Sequence, residues 1–227
     1  MRAAVIGSGA WGTTFACLLA QTGIPTTIWA RRAQIAEEIN AGSNRRYVAD
    51  LELPPLITAT TDLPAATAPA QLVVVAVPSQ TARAVLTPLA GGLREDAVAV
   101  SLMKGVELGT GMRMSEVLAE ALRLGPERVV VVSGPNLADE IAAGQPTATV
   151  VAAQDEETAA RVLAGVEAEL RAHLDGLYIQ PLGLWIRLIV RKLQHPQCIG
   201  FHHASRCHSL QCRHATTIAH SSKRWID

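Results

Sequence analysis

Short apolar runs of strand length alternate with amphipathic, helix-like stretches along most of the chain. Continuous apolar runs such as 72–77 are typical of strands that are buried on both faces of a parallel sheet. Asp62 and Ser79 stand where they can cap the helices that follow them. The predicted strands are 3–6, 26–30, 57–60, 72–77, 97–101, 128–132 and 147–152, and the longer predicted helices are 13–21, 33–41, 79–90, 112–124, 135–143 and 156–170. This alternation predicts an α/β fold with a doubly wound, mostly parallel sheet.

A glycine-rich turn follows the first predicted strand and opens directly into a helix. It reads Gly7-Ser8-Gly9-Ala10-Trp11-Gly12, a G-x-G-x-x-G pattern in the strand-to-helix context that gives the pattern meaning. Gly7 permits the tight turn, Gly9 lets the backbone approach a pyrophosphate, and Gly12 lets helix and strand pack closely. The N–H groups of the helix N-terminus would face the negative charge. The pattern predicts a Rossmann-type domain that binds a dinucleotide; the alternative is a glycine-rich turn with no ligand.

The end of the second predicted strand bears on which dinucleotide would bind. An Asp or Glu at this position would hold the ribose 2′-hydroxyl of NAD, whereas an arginine accommodates the 2′-phosphate of NADP. Here strand 26–30 is followed by Arg31 and Arg32, with no acidic residue nearby. This favours NADP(H) as the cofactor and leaves NAD(H) open. The alternative is that both arginines merely begin the next helix.

Charge balance and the length of the apolar runs argue against a nucleic-acid-binding protein and against a membrane-spanning one. The 227 residues include 20 basic and 20 acidic side chains, and the lack of net charge argues against a nucleic-acid partner. No apolar run approaches the roughly 18–20 residues of a membrane span. The first residues read as a buried strand rather than as a secretory signal. A cytoplasmic protein without a membrane span is therefore expected.

Composition changes abruptly near position 172. Every histidine lies at or beyond position 173, as do three of the four cysteines, and the strand and helix periods weaken there. This predicts a dinucleotide-binding domain over 1–172 and an atypical tail without a recognisable domain over 173–227. A zinc site in the tail is an alternative, but the cysteine and histidine spacing does not fit one, so no metal is expected. The favoured explanation of the tail is translation in a shifted reading frame.

Other predicted strands end in residues that suit a ligand crevice, which in such sheets lies outside the carboxyl ends of the strands. Lys104 follows strand 97–101 and can pair with a phosphate. Gly134 and Asn136 follow strand 128–132. Taken singly, Lys104 is more typical of an ordinary loop lysine, and residues 134–136 are typical of an ordinary strand-to-helix turn.

Several motifs in one order and spacing carry a family resemblance. They are Gly-Ser-Gly-Ala-Trp-Gly-Thr at 7–13, Val-Pro-Ser at 77–79, Lys-Gly-Val-Glu at 104–107, Ser-Gly-Pro-Asn-Leu-Ala-Asp-Glu-Ile at 133–141 and Gly-Gln-Pro-Thr-Ala at 144–148. Over about residues 1–172 the chain resembles the nucleotide-binding domain of bacterial glycerol-3-phosphate dehydrogenase. The resemblance implies reduction of dihydroxyacetone phosphate to glycerol 3-phosphate with NAD(P)H, which supplies phospholipid synthesis.

The resemblance also implies roles for individual residues. Ala10, Trp11, Arg31 and Ala138 would contact the cofactor, and Lys104 would touch both the nicotinamide nucleotide and the substrate. Gly134 and Asn136 would contact the substrate. Asn136 stands where the family often has Ser or Thr, so a polar side chain is retained there. Small phosphate compounds are thus the expected partners, together with a second copy of the chain in a homo-oligomer.

The family's proton donor is not found in this chain. In the family a lysine in a Lys-Asn pair gives the proton, and an Arg-Asn pair in a helical second domain holds the substrate phosphate. Neither pair occurs here, and the tail does not resemble that second domain. Lys192 lies nearest in position, but Leu193 follows it. The family resemblance predicts an NAD(P)-dependent glycerol-3-phosphate dehydrogenase with a shortened chain. The alternative is a catalytically inactive nucleotide-binding fragment.

Overall fold

The computed structural model describes residues 1–143, 148–164, 178–179 and 185–190. Its strands are β1 Ala3–Ile6, β2 Thr26–Trp29, β3 Ile57–Thr60, β4 Leu72–Val75, β5 Val98–Ser101, β6 Val129–Ser133, β7 Ala148–Ala153, β8 Tyr178–Ile179 and β9 Trp185–Val190. Its α-helices are α1 Ala10–Gln21, α2 Ala33–Asn40, α3 Leu63–Thr67, α4 Ser79–Leu86, α5 Met114–Leu122, α6 Ala138–Ala142 and α7 Glu156–Ala164. In this part of the chain no helix combines the length and the apolar character needed to cross a bilayer.

The strands form one sheet in the order β3-β2-β1-β4-β5-β6-β7-β9-β8. Strands β1 to β6 are parallel, which confirms the predicted Rossmann-type, mostly parallel sheet. Strand β7 is antiparallel to β6, and β9 is antiparallel to β7. The apolar pattern does not show this reversal, because a buried strand has the same composition in either direction. The predicted boundary at 172/173 lies outside the described residues.

Alternate residues of the central strands bury on opposite faces of the sheet, as the two-residue period of a strand requires. On β1, Ala3 and Val5 face a cluster that includes Phe15 of α1. Ala4 and Ile6 face a second cluster that includes residues of α4 and α5. Helices therefore cover both faces, and this explains why the central strands read as continuous apolar runs.

One of the two predicted helix caps is confirmed and the other is wrong. Asp62 caps α3, since its Oδ1 accepts a hydrogen bond of 2.9 Å from the N–H of Ala65. Ser79, by contrast, is the first residue of α4 rather than its cap. Pro78 takes the capping position with φ −56° and ψ 133°, and none of the described side chains caps that helix. A proline, whose φ angle is fixed, is well suited to a residue next to a helix start.

The strand order of the sheet reverses between β1 and β4. Strands β1 and β4 are neighbours, but the chain leaves β1 towards β2 and leaves β4 towards β5. The N–H of Ala76, just after β4, donates to the carbonyl of Ile6 at 2.9 Å. Loops that follow β1 and β4 therefore diverge from a common edge, which is where open α/β sheets bind ligands.

Candidate functional site

Gly7 and Gly12 allow the first turn and α1 to approach β4 closely. Gly7 has a φ angle of +119°, and a Cβ there would lie 2.5 Å from the carbonyl oxygen of Ala76. A Cβ on Gly12 would collide with the carbonyl oxygen of Gly7 and lie 3.2 Å from the Cβ of Ala76. Neither position can accept a side chain without movement of the backbone.

Gly9 differs, because it faces open space. It is the N-cap of α1, with φ −72° and ψ 176°, and a Cβ there would meet no atom of the described residues within 4 Å. Within the part of the chain that the structure describes, no side chain caps α1, and the first turn of α1 holds no acidic residue. The first N–H groups of a helix have no partner within the helix. The start of α1 is thus an open, electropositive terminus suited to an anion.

Trp11 stands in the first turn of α1 beside Ala10. Its ring packs against that of Phe15 edge to face, with centroids 5.7 Å apart and planes at 79°. Trp11 is half-buried against the core on the α1 side of the sheet. This contact fixes the orientation of the indole next to the glycine turn.

Arg31 and Arg32 lie at the same sheet edge as the glycine turn. The register pairs Ile6 with Trp29, and the N–H of Gly7 donates to the carbonyl of Trp29 at 3.2 Å. Both arginines are exposed. Neither takes part in an ion pair within the described ranges. Their positive charge is therefore available to a ligand at this edge.

Tyr47 brings two arginines together beside this edge. Arg32 donates from Nη2 to the Tyr47 hydroxyl at 2.7 Å. The guanidinium carbon of Arg46 lies 6.0 Å from the centroid of the Tyr47 ring. The segment after α2 thereby places the Arg46 guanidinium and the Tyr47 phenol beside the arginines that follow β2.

Lys104 and Gly134 come into contact, although 30 positions separate them. Lys104 follows β5, Gly134 follows β6, and these neighbouring strands pair Ser101 with Val131. The Nζ of Lys104 donates to the carbonyl oxygen of Gly134 at 3.3 Å. Gly134 has a φ angle of +145°, a conformation that favours glycine. The exposed ammonium group therefore lies over the ends of both strands.

Asn136 and Ala138 lie farther along the same loop. Asn136 is buried, and its Oδ1 accepts a hydrogen bond of 2.7 Å from Oγ1 of Thr149 on β7. Ala138 begins α6, and its carbonyl accepts from Oγ1 of Thr14 at 3.5 Å. The second bond joins the helix that follows the glycine turn to the loop that carries Gly134.

Comparison with known proteins identifies the family. Residues 2–159 match the family described as NAD-dependent glycerol-3-phosphate dehydrogenase N-terminus. The chain belongs to this family.

Curated relatives of this family member carry the name glycerol-3-phosphate dehydrogenase [NAD(P)+]. The protein from Corynebacterium urealyticum is 46% identical over 169 residues, which are 74% of this chain and 51% of that protein. The protein from Streptomyces coelicolor is 50% identical over 165 residues, or 72% of this chain and 49% of that one. The chain spans about half the length of the curated relatives it matches.

Solved structures of the family share the fold. Glycerol-3-phosphate dehydrogenase from Coxiella burnetii superposes with a TM-score of 0.67 at 29% identity, over 73% of this chain and 50% of that one. The Saccharomyces cerevisiae enzyme gives a TM-score of 0.57 at 28% identity, over 63% and 44% of the respective chains.

Some polar contacts at the site could not be predicted from a sequence motif. Thr13 and Asn44 contact Ser8 of the glycine turn, and Thr14 contacts Ala138. A lone asparagine in a loop is ordinary turn chemistry, so nothing in a single sequence distinguishes Asn44. Glu107 is different, because the Lys-Gly-Val-Glu motif at 104–107 already draws attention to it.

Glu107 fixes the loop behind Lys104. Arg83 of α4 donates from Nε and Nη2 to the two carboxylate oxygens of Glu107 at 2.8 and 2.9 Å. Gln80 of the same helix donates to the carbonyl of Val106 at 2.8 Å and accepts from the N–H of Leu108 at 2.9 Å. The loop that begins after Lys104 is thereby tied to α4.

Glu107→Gln is expected to weaken stability in a pH-dependent way. Hydrogen bonds from Arg83 and then Thr110 lower the pKa of Glu107 from 4.5 to about 2. A carboxylate with a depressed pKa stabilises the folded state above its unfolded pKa, and this stabilisation is lost as the pH falls through the folded pKa. The urea midpoint of the wild type should therefore exceed that of the variant at pH 7, and the two should converge between about pH 4.5 and 2.

The matched control is Glu95→Gln, at a carboxylate outside these ion pairs. Its midpoint difference from the wild type should stay smaller than that of Glu107→Gln at neutral pH. A Glu107→Gln difference that is constant from pH 7 to pH 3 would contradict the assignment.

No group of side chains able to hold a metal ion occurs in the ranges that the structure describes. Cys17 is a buried free thiol on α1, and burial raises its pKa to about 12, so it is not a reactive thiolate at neutral pH. Lys192 and the cysteines and histidines of the predicted tail lie outside the described residues.

Proposed function

We propose that this chain binds NAD(P)(H) at the carboxyl edge of its sheet and acts in the interconversion of dihydroxyacetone phosphate and glycerol 3-phosphate. One observation carries the proposal: the open N-terminus of α1 lies at the same sheet edge as the contact between Lys104 and Gly134. A dinucleotide site and a cation for a phosphate substrate thus share one crevice. The curated relatives, named as NAD(P)+-dependent glycerol-3-phosphate dehydrogenases, support it.

The residues at the glycine turn fit a dinucleotide. Gly9 leaves the space above the turn open, and the uncapped first turn of α1 offers N–H groups to the pyrophosphate. Arg31 and Arg32 would pair with a 2′-phosphate, which favours NADP(H) over NAD(H). Ala10, Trp11 and Ala138 would line the cofactor along α1 and α6. When bound, the reduced cofactor supplies the hydride.

The substrate would lie beyond the cofactor, over β5 and β6. The Lys104 ammonium would attract its phosphate or its polarised carbonyl oxygen. Gly134 would let the substrate approach the backbone, and Asn136, held by Thr149, would offer amide contacts from a fixed position. Such a reduction draws on the NAD(P)H of the cell, so a cytoplasmic location of the protein is part of the proposal.

A second candidate function is dinucleotide binding without turnover. Reduction of a carbonyl produces an alkoxide, which needs a proton from a positioned acid. Lys104 is the only lysine, and there is no histidine, among the described residues. If Lys104 holds the substrate, this part of the chain offers no second lysine or histidine to give the proton. That observation favours a binding role for the domain.

One experiment separates the two candidates. The full chain is mixed with dihydroxyacetone phosphate and either NADPH or NADH, and cofactor oxidation is followed while cofactor affinity is titrated in parallel. Turnover is expected, with higher kcat/KM for NADPH, and Lys104→Ala should lose about 100-fold in kcat/KM for dihydroxyacetone phosphate, a larger loss than in its cofactor affinity. Loss of turnover in Lys192→Ala with cofactor affinity kept would also support the enzyme and would point to Lys192 as its proton donor. Cofactor binding without turnover supports the second candidate, and absence of cofactor binding contradicts both.

A further inference from the structure

Asn44 is a wholly buried polar side chain directly behind the glycine turn. It lies in the loop between α2 and β3 and is 0% exposed. Its Nδ2 donates to the carbonyl oxygen of Ser8 at 3.0 Å and to Oγ1 of Thr13 at 2.8 Å. Oγ1 of Thr13 in turn donates to the same Ser8 carbonyl at 3.4 Å. Two side chains from different parts of the sequence therefore converge on one carbonyl group of the turn.

Holding the Ser8 carbonyl also orients the next N–H group. The peptide unit is planar and trans, so the N–H of Gly9 points away from the Ser8 carbonyl oxygen. With that oxygen directed at Asn44, the N–H of Gly9 is directed away from Asn44. The space next to Gly9 is open, since a Cβ there would meet no described atom within 4 Å. Backbone N–H groups arranged around such a turn form an anion-binding concavity together with the helix N-terminus.

Packing alone does not account for an asparagine at this position. Its Oδ1 is buried and has no hydrogen-bond partner among the residues that the structure describes. An unpaired buried acceptor lowers stability, so an apolar side chain of similar size would fill the space at less cost. What the asparagine adds is the pair of N–H donors that hold Ser8 and Thr13.

We propose that Asn44 is a positioning residue for pyrophosphate binding. It fixes the Ser8–Gly9 peptide so that the Gly9 N–H is presented to the ligand before the ligand arrives. The inference rests on the proposed function, because it presupposes that a dinucleotide binds over the glycine turn. It adds that affinity for the pyrophosphate depends on a residue in a loop far along the sequence.

The test compares ligands with and without a pyrophosphate in the full chain. Kd values are measured for NADPH and for adenosine 2′-monophosphate, which can use Arg31 and Arg32 but has no pyrophosphate to place over the turn. In Asn44→Ala the Kd for NADPH should rise by about tenfold, the equivalent of one hydrogen-bonding group. The Kd for adenosine 2′-monophosphate should change by less than about twofold. A merely structural role would weaken both ligands alike.

Asn40→Ala is the matched control. Asn40 also makes two side-chain hydrogen bonds, to the N–H and carbonyl of Ala59 at 2.7 and 3.0 Å, but it does not contact the glycine turn. This variant should bind both ligands as the wild type does. If Asn44→Ala does not fold, as judged by its melting curve, Thr13→Val replaces it. That variant loses the hydroxyl between Asn44 and Ser8, and its affinity for NADPH alone should fall by about threefold.

The outcomes are distinct. Folded Asn44→Ala that binds NADPH as tightly as the wild type, or that loses both ligands equally, overturns the inference about Asn44 alone. If Thr13→Val has to be used, unchanged NADPH affinity or equal losses overturn it as well. A wild-type chain that folds but does not bind NADPH overturns the proposed function, and this inference with it.

Discussion

Gly12→Ala is expected to destabilise the folded domain by about 3 kcal/mol, because overpacking costs typically 1–3 kcal/mol and here the obstacle is backbone. The new Cβ would collide with the carbonyl oxygen of Gly7 and press against Ala76 at 3.2 Å. Gly7 itself cannot move away easily, since its own Cβ position lies 2.5 Å from the Ala76 carbonyl. Helix α1 would have to shift away from β4. Urea denaturation followed by circular dichroism measures the loss.

Gly92→Ala provides the control for this substitution. A Cβ on Gly92 would lie 3.5 Å from the carbonyl oxygen of Leu89, an ordinary contact. Its effect on the free energy of unfolding should stay within about 0.5 kcal/mol, as for most surface substitutions. Equal stabilities of Gly12→Ala and Gly92→Ala would show that α1 does not pack against the turn as described.

Gly9→Ala is expected to separate binding from folding. Gly9 has an ordinary φ angle of −72° and open space around its Cβ position, so alanine fits the free protein without strain. The same Cβ would occupy the space in which a pyrophosphate approaches the turn. If relieving this clash costs about 2 kcal/mol, affinity for NADPH falls ~30-fold, while the urea midpoint stays near that of the wild type.

This prediction is measured by titrating NADPH into Gly9→Ala and wild-type protein of equal folded fraction. Unchanged affinity would mean that no ligand approaches Gly9. A loss of stability as large as that of Gly12→Ala would mean that the space next to Gly9 is filled in the free protein. The contrast between two glycines of one motif is therefore more informative than either variant alone.

The elements that the sequence predicts well are those with a strong local signal. Buried strands such as β1 and β4 appear as uninterrupted apolar runs, and the glycine spacing identifies the turn that joins β1 to α1. The carboxyl edge follows from parallel order, which brings Lys104 and Gly134 together across 30 positions. Whether those residues bind substrate stays a prediction.

The remaining features depend on long-range contacts that leave no local pattern. The antiparallel direction of β7 is set by pairing with β6 and β9, not by its own composition. Strand β9, Trp185–Val190, lies within 173–227, where the composition and the weak periodicity predict an atypical tail without a recognisable domain. Asn44 contacts the glycine turn only because the loop after α2 folds back onto α1. Contacts of this kind are visible only when the fold brings distant residues together.

The glycine turn at β1 and the arginines after β2 are together expected to bind a dinucleotide. Isothermal titration of NADPH into the full chain, with Gly9→Ala titrated in parallel, tests it most directly. The wild type should show a single saturable site, and binding at this site should be strongly weakened in Gly9→Ala. A chain that is folded by circular dichroism and shows no saturable binding of NADPH or NADH would contradict it.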